Sequence, residues 1–112
     1  MDNIKDEYYY LHNISSNLAF IIQQTKDVDF EAFSSNELLK DSCCFRLIQI
    51  SENAKKISPD SDIQKQLPMK QLVGLRNRIV HDYGTIDFGI LYQTVTQDIP
   101  QVYALVEAIL KQ

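Results

Sequence analysis

The sequence predicts an all-α fold: an antiparallel bundle of four to five helices forming a single domain over residues 1–112. Apolar residues recur three or four apart along most of the chain, the period of a helix with one face against a core. Glycine and proline number only 3 each, so few breakers interrupt those runs. A chain of 112 residues supports one core, and at that size a partner subunit adds stability.

The first helix is expected from about Ile4 to Thr25, on the stripe Ile4, Tyr8, Leu11, Ile14, Leu18 and Ile21. Tyr8, Tyr9 and Tyr10 wrap around this helix, so one or two of them are expected as core or dimer contacts. Ser34-Ser35-Asn36-Glu37 has capping-box spacing for a second helix, and Asp29 to Phe33 is compatible with a helical turn before it. The second helix carries Cys43, Leu47, Ile50, Ala54 and Ile57 and stops at Ser58-Pro59-Asp60. A polar linker from Ser58 to Gln66 follows. Pro68 suits the first turn of a third helix reaching about Asp82, with Gly84 ending it. Asp87 is placed to cap a fourth helix, whose stripe is Phe88, Leu91, Val95, Ile99, Val102, Val106 and Ile109. Pro100 should kink that helix or split it in two.

Composition narrows the classes of function. No apolar run approaches the roughly 18 residues of a membrane span, and the acidic start of the chain lacks a signal peptide's apolar region, so a cytoplasmic protein is expected. Cys43 and Cys44 are adjacent, poor geometry for a structural disulfide and no metal spacing. His12 falls on the polar side of the first helix, where a solvated histidine is expected, and it makes no zinc pattern with His81. Neither a metal nor a cofactor is expected. No glycine-rich phosphate loop is present, which argues against an NTPase. The net charge is −4, yet residues 63–81 carry Lys65, Lys70, Arg76 and Arg78 with no acid, a local +4. Such a segment is compatible with local phosphate binding on an otherwise acidic protein.

The same segment ends in Leu75-Arg76-Asn77-Arg78-Ile79-Val80-His81-Asp82-Tyr83. Arginine binds phosphate through a planar fork of donors, and histidine moves protons near neutral pH. At about 100° per residue, Leu72, Val73, Leu75, Ile79 and Val80 form one apolar arc, with Arg76 near its middle. A guanidinium sent toward a core needs a carboxylate such as Glu52, a second subunit's polar surface, or a ligand anion. His81 lies roughly 140° around the helix from Arg76, with Asn77 between them, so the two would flank a groove rather than stack. Gly74 lies near His81 in angle and leaves room for another backbone. A purely structural account also exists, because Arg76, Arg78 and His81 occupy the last turns of a helix, where cations complement the macrodipole.

The run Arg76-Asn77-Arg78-Ile79-Val80-His81-Asp82-Tyr83 resembles the Arg-x4-His-x-Tyr signature of HepT-like toxins, a branch of the HEPN ribonuclease superfamily. Nearly the whole chain is similar to that branch. Ile48 to Ser58 resembles its Ile-Gly-Glu-Ala-Ala-Lys block, Leu67-Pro68-Met69 stands where Ile-Pro-Trp is usual, and Asp87 and Asp98-Ile99-Pro100 fall at familiar positions. The sequence departs in having Ser51 where a glycine precedes Glu52 and Met69 where a tryptophan is usual, which bears on local packing. The resemblance implies an all-α homodimer whose motif helices meet near the two-fold axis around an RNA groove. It implies metal-independent cleavage of tRNA or mRNA. It also implies a cognate minimal nucleotidyltransferase antitoxin that transfers AMP to the motif tyrosine, here Tyr83.

The residues suit that chemistry. RNA carries its own nucleophile, the 2′-OH beside the scissile phosphate, so the protein must move a proton and stabilise charge on the phosphorane. His81 fits the first role and Arg76 the second, with Asn77 and Arg78 in support. Sequence leaves open whether His81 is acid or base; in a two-fold dimer, one copy could take each role. The alternative is a non-catalytic helical module that binds a nucleotide or a protein and partners a nucleotidyltransferase. A purely structural dimerisation domain is a further alternative.

Overall fold

The computed structural model describes residues 6–112, and the expected Ile4 contact lies outside them. Among the described residues the regular structure is all helical: α1 (Glu7–Thr25), α2 (Phe30–Ser34), α3 (Glu37–Lys56), α4 (Asp62–Gln66), α5 (Met69–Asp82), α6 (Phe88–Gln93) and α7 (Ile99–Leu110). A 3₁₀ turn, Tyr83–Thr85, follows α5, and a π turn, Thr94–Asp98, joins α6 to α7. The bundle has four rods: α1, α3, α5 and the run from α6 through α7. Helix α1 packs on both α3 and α7, while α5 packs on α3.

The expected stripes form the core. Leu11, Ile14, Leu18 and Ile21 of α1 are fully buried and face Cys43, Leu47, Ile50 and Ala54 of α3, while Leu91, Val95, Ile99, Val106 and Ile109 complete the last rod. Each of the buried leucines, isoleucines and valines contributes about 1.5–3 kcal/mol by leaving water. Tyr8 is the exception, 45% exposed near the start of α1; Tyr9 is as exposed, and Tyr10 alone of the three packs on the core. Polar bridges fix the register of the rods. Asn13 donates to Asn53 at 3.1 Å, Arg46 to Asn17 at 3.1 Å, and Ser15 to Glu107 at 2.7 Å.

Local chemistry sets the helix ends. Asp6 caps α1 by accepting from Tyr9 N–H at 2.9 Å. Asp27 takes φ 59° in the turn after α1, a left-handed conformation that aspartate tolerates better than most residues. The cap of α3 is Asn36, accepting from Leu39 N–H at 3.0 Å, so the Ser34–Glu37 capping box does not form. Ser34 belongs instead to α2, capped by Asp29. The polar linker contains α4, started by Ser61 and tied back to α1 by the Ser61 hydroxyl donating to Glu7. Asp87 caps α6 as expected, accepting from Gly89 and Ile90 N–H at 2.8 and 3.2 Å.

Two helix stops fall where expected, α5 at Asp82 and the break in the last rod before Pro100, and the structure supplies their local geometry. Gly84 lies inside the 3₁₀ turn and its φ is not positive, so α5 ends by tightening, not on a left-handed glycine. Pro100 sits in the first turn of α7, where its missing N–H is harmless. A π turn directly before it divides the run into α6 and α7, the interruption expected at Pro100.

Cys43 and Cys44 are free and buried. Burial first, then the adjacent Cys44, pushes Cys43 up to about 12, and burial first, then the Asp41 carboxylate, pushes Cys44 up to about 11, from 9.0. Because the folded values are raised, the stability they contribute is whole below pH 9.0 and is lost as pH rises toward 11 and 12. Cys43→Val should therefore flatten the decline of melting temperature between pH 9 and 11. An unchanged slope would remove the thiol from that decline.

Candidate active site

The site is built where α5 crosses α3. Leu72 and Ile79 are the buried residues of α5, and they seat the helix on α3. The arc expected to be buried is narrower than its apolar residues imply: Val80 is 45% exposed. Seating by Leu72 and Ile79 turns Arg76 toward α3, where its side chain is 25% exposed. There Arg76 Nε meets Glu52 Oε1 at 3.3 Å. Both atoms are shielded from solvent and meet as an ion pair, without the alignment of a hydrogen bond. Glu52 also pairs with Lys55 at 3.7 Å.

Of the partners considered for Arg76, the carboxylate of Glu52 is the one found within the chain. Its effect is to hold the guanidinium by the stem. Arg76 Nη1 donates to Asn77 Oδ1 at 3.2 Å, and no bond from Nη2 exists among the described residues. A half-buried cation would otherwise cost several kcal/mol, so the neighbouring anion makes the position tenable. The forked end remains available to an oxyanion.

His81 is exposed in the last turn of α5, and no partner is found for its ring among the described residues. Five residues separate it from Arg76, roughly 7.5 Å along the helix axis. Asn77 lies between them and is exposed. Arg78 is exposed on the neighbouring face, without an ion pair among the described residues. Gly74 faces open space: among the described residues, nothing outside its own helix turn lies within 4 Å of where a Cβ would stand.

Tyr83 opens the 3₁₀ turn and is 37% exposed. Its hydroxyl donates to Asp41 of α3, and its ring meets Phe88 edge-on at 6.5 Å. The hydrogen bond to Asp41, then partial burial, holds the phenol protonated well above the usual tyrosine range. Lys40, next to Asp41, lies 4.0 Å from the Phe88 ring centre and pairs with Glu37 at 3.0 Å. Asp41 is the site residue that sequence reasoning missed. It stands 42 positions from Tyr83, and no spacing rule connects them.

Both departures from the resembled family's pattern affect packing here. Ser51 is fully buried and its hydroxyl has no hydrogen bond among the described residues, while Met69 is partly buried against the core. The arrangement offers an anchored guanidinium, an amide and an exposed imidazole on one helix, with a carboxylate-bound phenol beyond its end.

A family model described as ribonuclease HepT-like matches residues 14–109. "Putative RNase MJ0125" of Methanocaldococcus jannaschii is 32% identical over 108 residues, covering 96% of this chain and 93% of that one. "Putative RNase MJ1380" of the same organism is 30% identical over 106 residues, covering 94% and 97%. "Probable ribonuclease HepT" of Thermococcus cleftensis is 26% identical over 103 residues, covering 91% and 94%. No solved structure matches the chain.

Proposed function

The chain belongs to the HepT-like ribonuclease family, and on that premise we propose that it is a metal-independent endoribonuclease toxin acting through Arg76 and His81. One observation carries this reading: Arg76 is held at its Nε by Glu52 and at Nη1 by Asn77, with no bond from Nη2 among the described residues, on the helix that also exposes His81. A structural arginine needs only the Glu52 contact, whereas a phosphate clamp needs a fixed stem and donors left to offer. This site has both.

In the proposed reaction the RNA 2′-OH gives its proton to a base and attacks the adjacent phosphorus. The bond to the 5′-oxygen breaks, and that oxygen leaves with a proton supplied by an acid. The products are a cyclic 2′,3′-phosphate and a 5′-hydroxyl. His81 supplies one of the two proton transfers, and the second copy in a homodimer supplies the other. Arg76 binds the non-bridging oxygens more tightly as negative charge gathers on them, with Asn77 holding its Nη1 and Arg78 adding positive field. The 2′-OH chemistry itself calls for no metal.

Neutralisation is proposed to occur at Tyr83, by AMP transfer from a minimal nucleotidyltransferase antitoxin. A phosphodiester and an adenine there would compete with RNA for the cations of α5 by charge and by bulk. Tyr83→Phe should keep cleaving RNA while no longer accepting label from α-labelled ATP in the presence of that partner. Label incorporated into Tyr83→Phe at the wild-type level would refute the assignment.

A second reading has the Arg76–Glu52 pair in its favour: a non-catalytic module in which the pair simply ties α5 to α3. Total RNA incubated with the purified chain in EDTA separates the two. Cleavage that disappears in Arg76→Ala and His81→Ala supports the nuclease, and RNA left intact by the wild-type protein supports the module.

A further inference from the structure

Beside the catalytic face, α5 lines a second feature that shares only Arg78 with the proposed chemistry. A cavity of about 330 Å³ lies between α5, the turn after it and α6. Its floor is Ile79 and Leu91, both nearly fully buried, and Leu75 and Ile86 form apolar walls. Polar groups stand among this lining: Arg78, Asp82 and Asp87. The volume is at the lower end of the range for small-ligand sites, roughly 300–1,000 Å³, enough for a single flat ring system but not for a stretch of helix.

The charges around this cavity are not spent on one another. Arg78 and Asp82 are four apart on α5, the spacing at which opposite charges normally meet, yet neither has an ion pair among the described residues. Asp87 uses Oδ1 to cap α6, and its other oxygen has no partner among the described residues. The site therefore presents a slot with aliphatic faces, carboxylate acceptors and one free guanidinium. Alternate residues of the same two helical turns, Arg76, Asn77 and His81, make up the proposed catalytic face.

We propose that this cavity takes one unpaired nucleobase of the RNA, and that it selects guanine. This rests on the ribonuclease reading and names the feature of the substrate that the site reads. An unstacked base fits between apolar side chains with its hydrogen-bonding edge turned to polar groups. Guanine alone among the four bases offers two adjacent donors, N1–H and the 2-amino group, which match the two oxygens of a carboxylate such as Asp82. Uracil turns carbonyls toward that carboxylate and is disfavoured. Arg78, on the same helical face as Asp82, is placed for the phosphate attached to the bound nucleotide.

The test is a titration of the full chain with 5′-GMP, 5′-AMP, 5′-CMP and 5′-UMP, followed by NMR of the ¹⁵N-labelled protein. Shifts at Ile79, Ile86 and Leu91 that saturate with GMP at concentrations at least tenfold lower than with the others are expected, the discrimination typical of a bidentate base contact. Ile90→Trp, a change at a side chain 51% exposed and beside the cavity, should abolish those shifts without altering the melt. Asp82→Asn should erase the preference for GMP while leaving some binding. Mapping of cleavage on an unstructured RNA should then show cuts next to guanosine in the wild type and an even distribution in Asp82→Asn.

No shift with any nucleotide, or equal shifts with all four, overturns the pocket, whatever the protein does to RNA. Guanine-selective binding by a protein that cuts no RNA instead overturns the nuclease reading and leaves the pocket standing. If Ile90→Trp converts a dimer to a monomer and GMP never binds, the groove belongs to a second copy and the proposal fails.

Discussion

Arg76→Ala is expected to lower the rate of RNA cleavage by about 10²–10³, and His81→Ala by about 10²–10⁴. The two losses have different physical origins. Removing Arg76 takes away donors that strengthen as the phosphorane gathers charge, so the rate constant should fall more than substrate affinity. Removing His81 takes away a proton carrier, so a substrate with a better leaving group at the 5′-oxygen should recover part of the lost rate. Because both act on one transition state, the double variant should be slower than either single variant but far from the product of the two effects. Arg76→Lys distinguishes a clamp from a mere tie. A single ammonium can meet Glu52 or a phosphate, whereas the guanidinium meets Glu52 through Nε and still has the donors of Nη2 to offer. Lysine should thus keep the fold and lose most of the activity. Wild-type rates in either alanine variant, measured in EDTA on protein with an unchanged helical spectrum, would end the assignment.

Phe33→Ala is expected to cost about 3–5 kcal/mol, the largest stability loss of any single truncation considered. Helix α2 has five residues, too few to persist alone, and Phe33 is its buried residue, fully enclosed. Its ring packs 5.4 Å from that of Tyr92, whose hydroxyl donates to the Val28 carbonyl at 2.7 Å. Truncation would leave a cavity and release the short helix that joins α1 to α3. A thermal melt should fall by roughly 10–30 °C. Phe30 on the same helix meets Tyr92 at 5.6 Å but is 45% exposed, so Phe30→Ala should lose far less. Equal losses for the two variants would mean that α2 is not anchored through its buried face.

Periodicity made the four rods legible, because a stripe at Leu11, Ile14, Leu18 and Ile21 has no other low-energy use than a helix against a core. Boundaries were less so. Asn36 caps α3 where Ser34 was expected, since three candidate cap residues stand in a row and α2 claims the first. The short helix α4 hid inside a polar segment whose one buried side chain, Ile63, carries no periodic signal. Tyr8 fits the stripe by spacing yet stays exposed, being near the end of its rod, where less of the bundle covers it.

The residues Arg76, Asn77, Arg78, His81 and Tyr83 could be named from sequence because helical spacing and a family resemblance both act over a few neighbouring positions. Local propensity, cap chemistry and the apolar stripe are short-range properties, and they determined that this chain is a helical bundle with Arg76, Arg78 and His81 on one helix. Tertiary structure alone decided what those cations touch. Glu52 holds the stem of Arg76 and Asp41 takes the Tyr83 hydroxyl only because α3 packs against α5. Contacts between helices depend on how far each rod rotates and slides against the next, and side-chain packing over the whole core sets that.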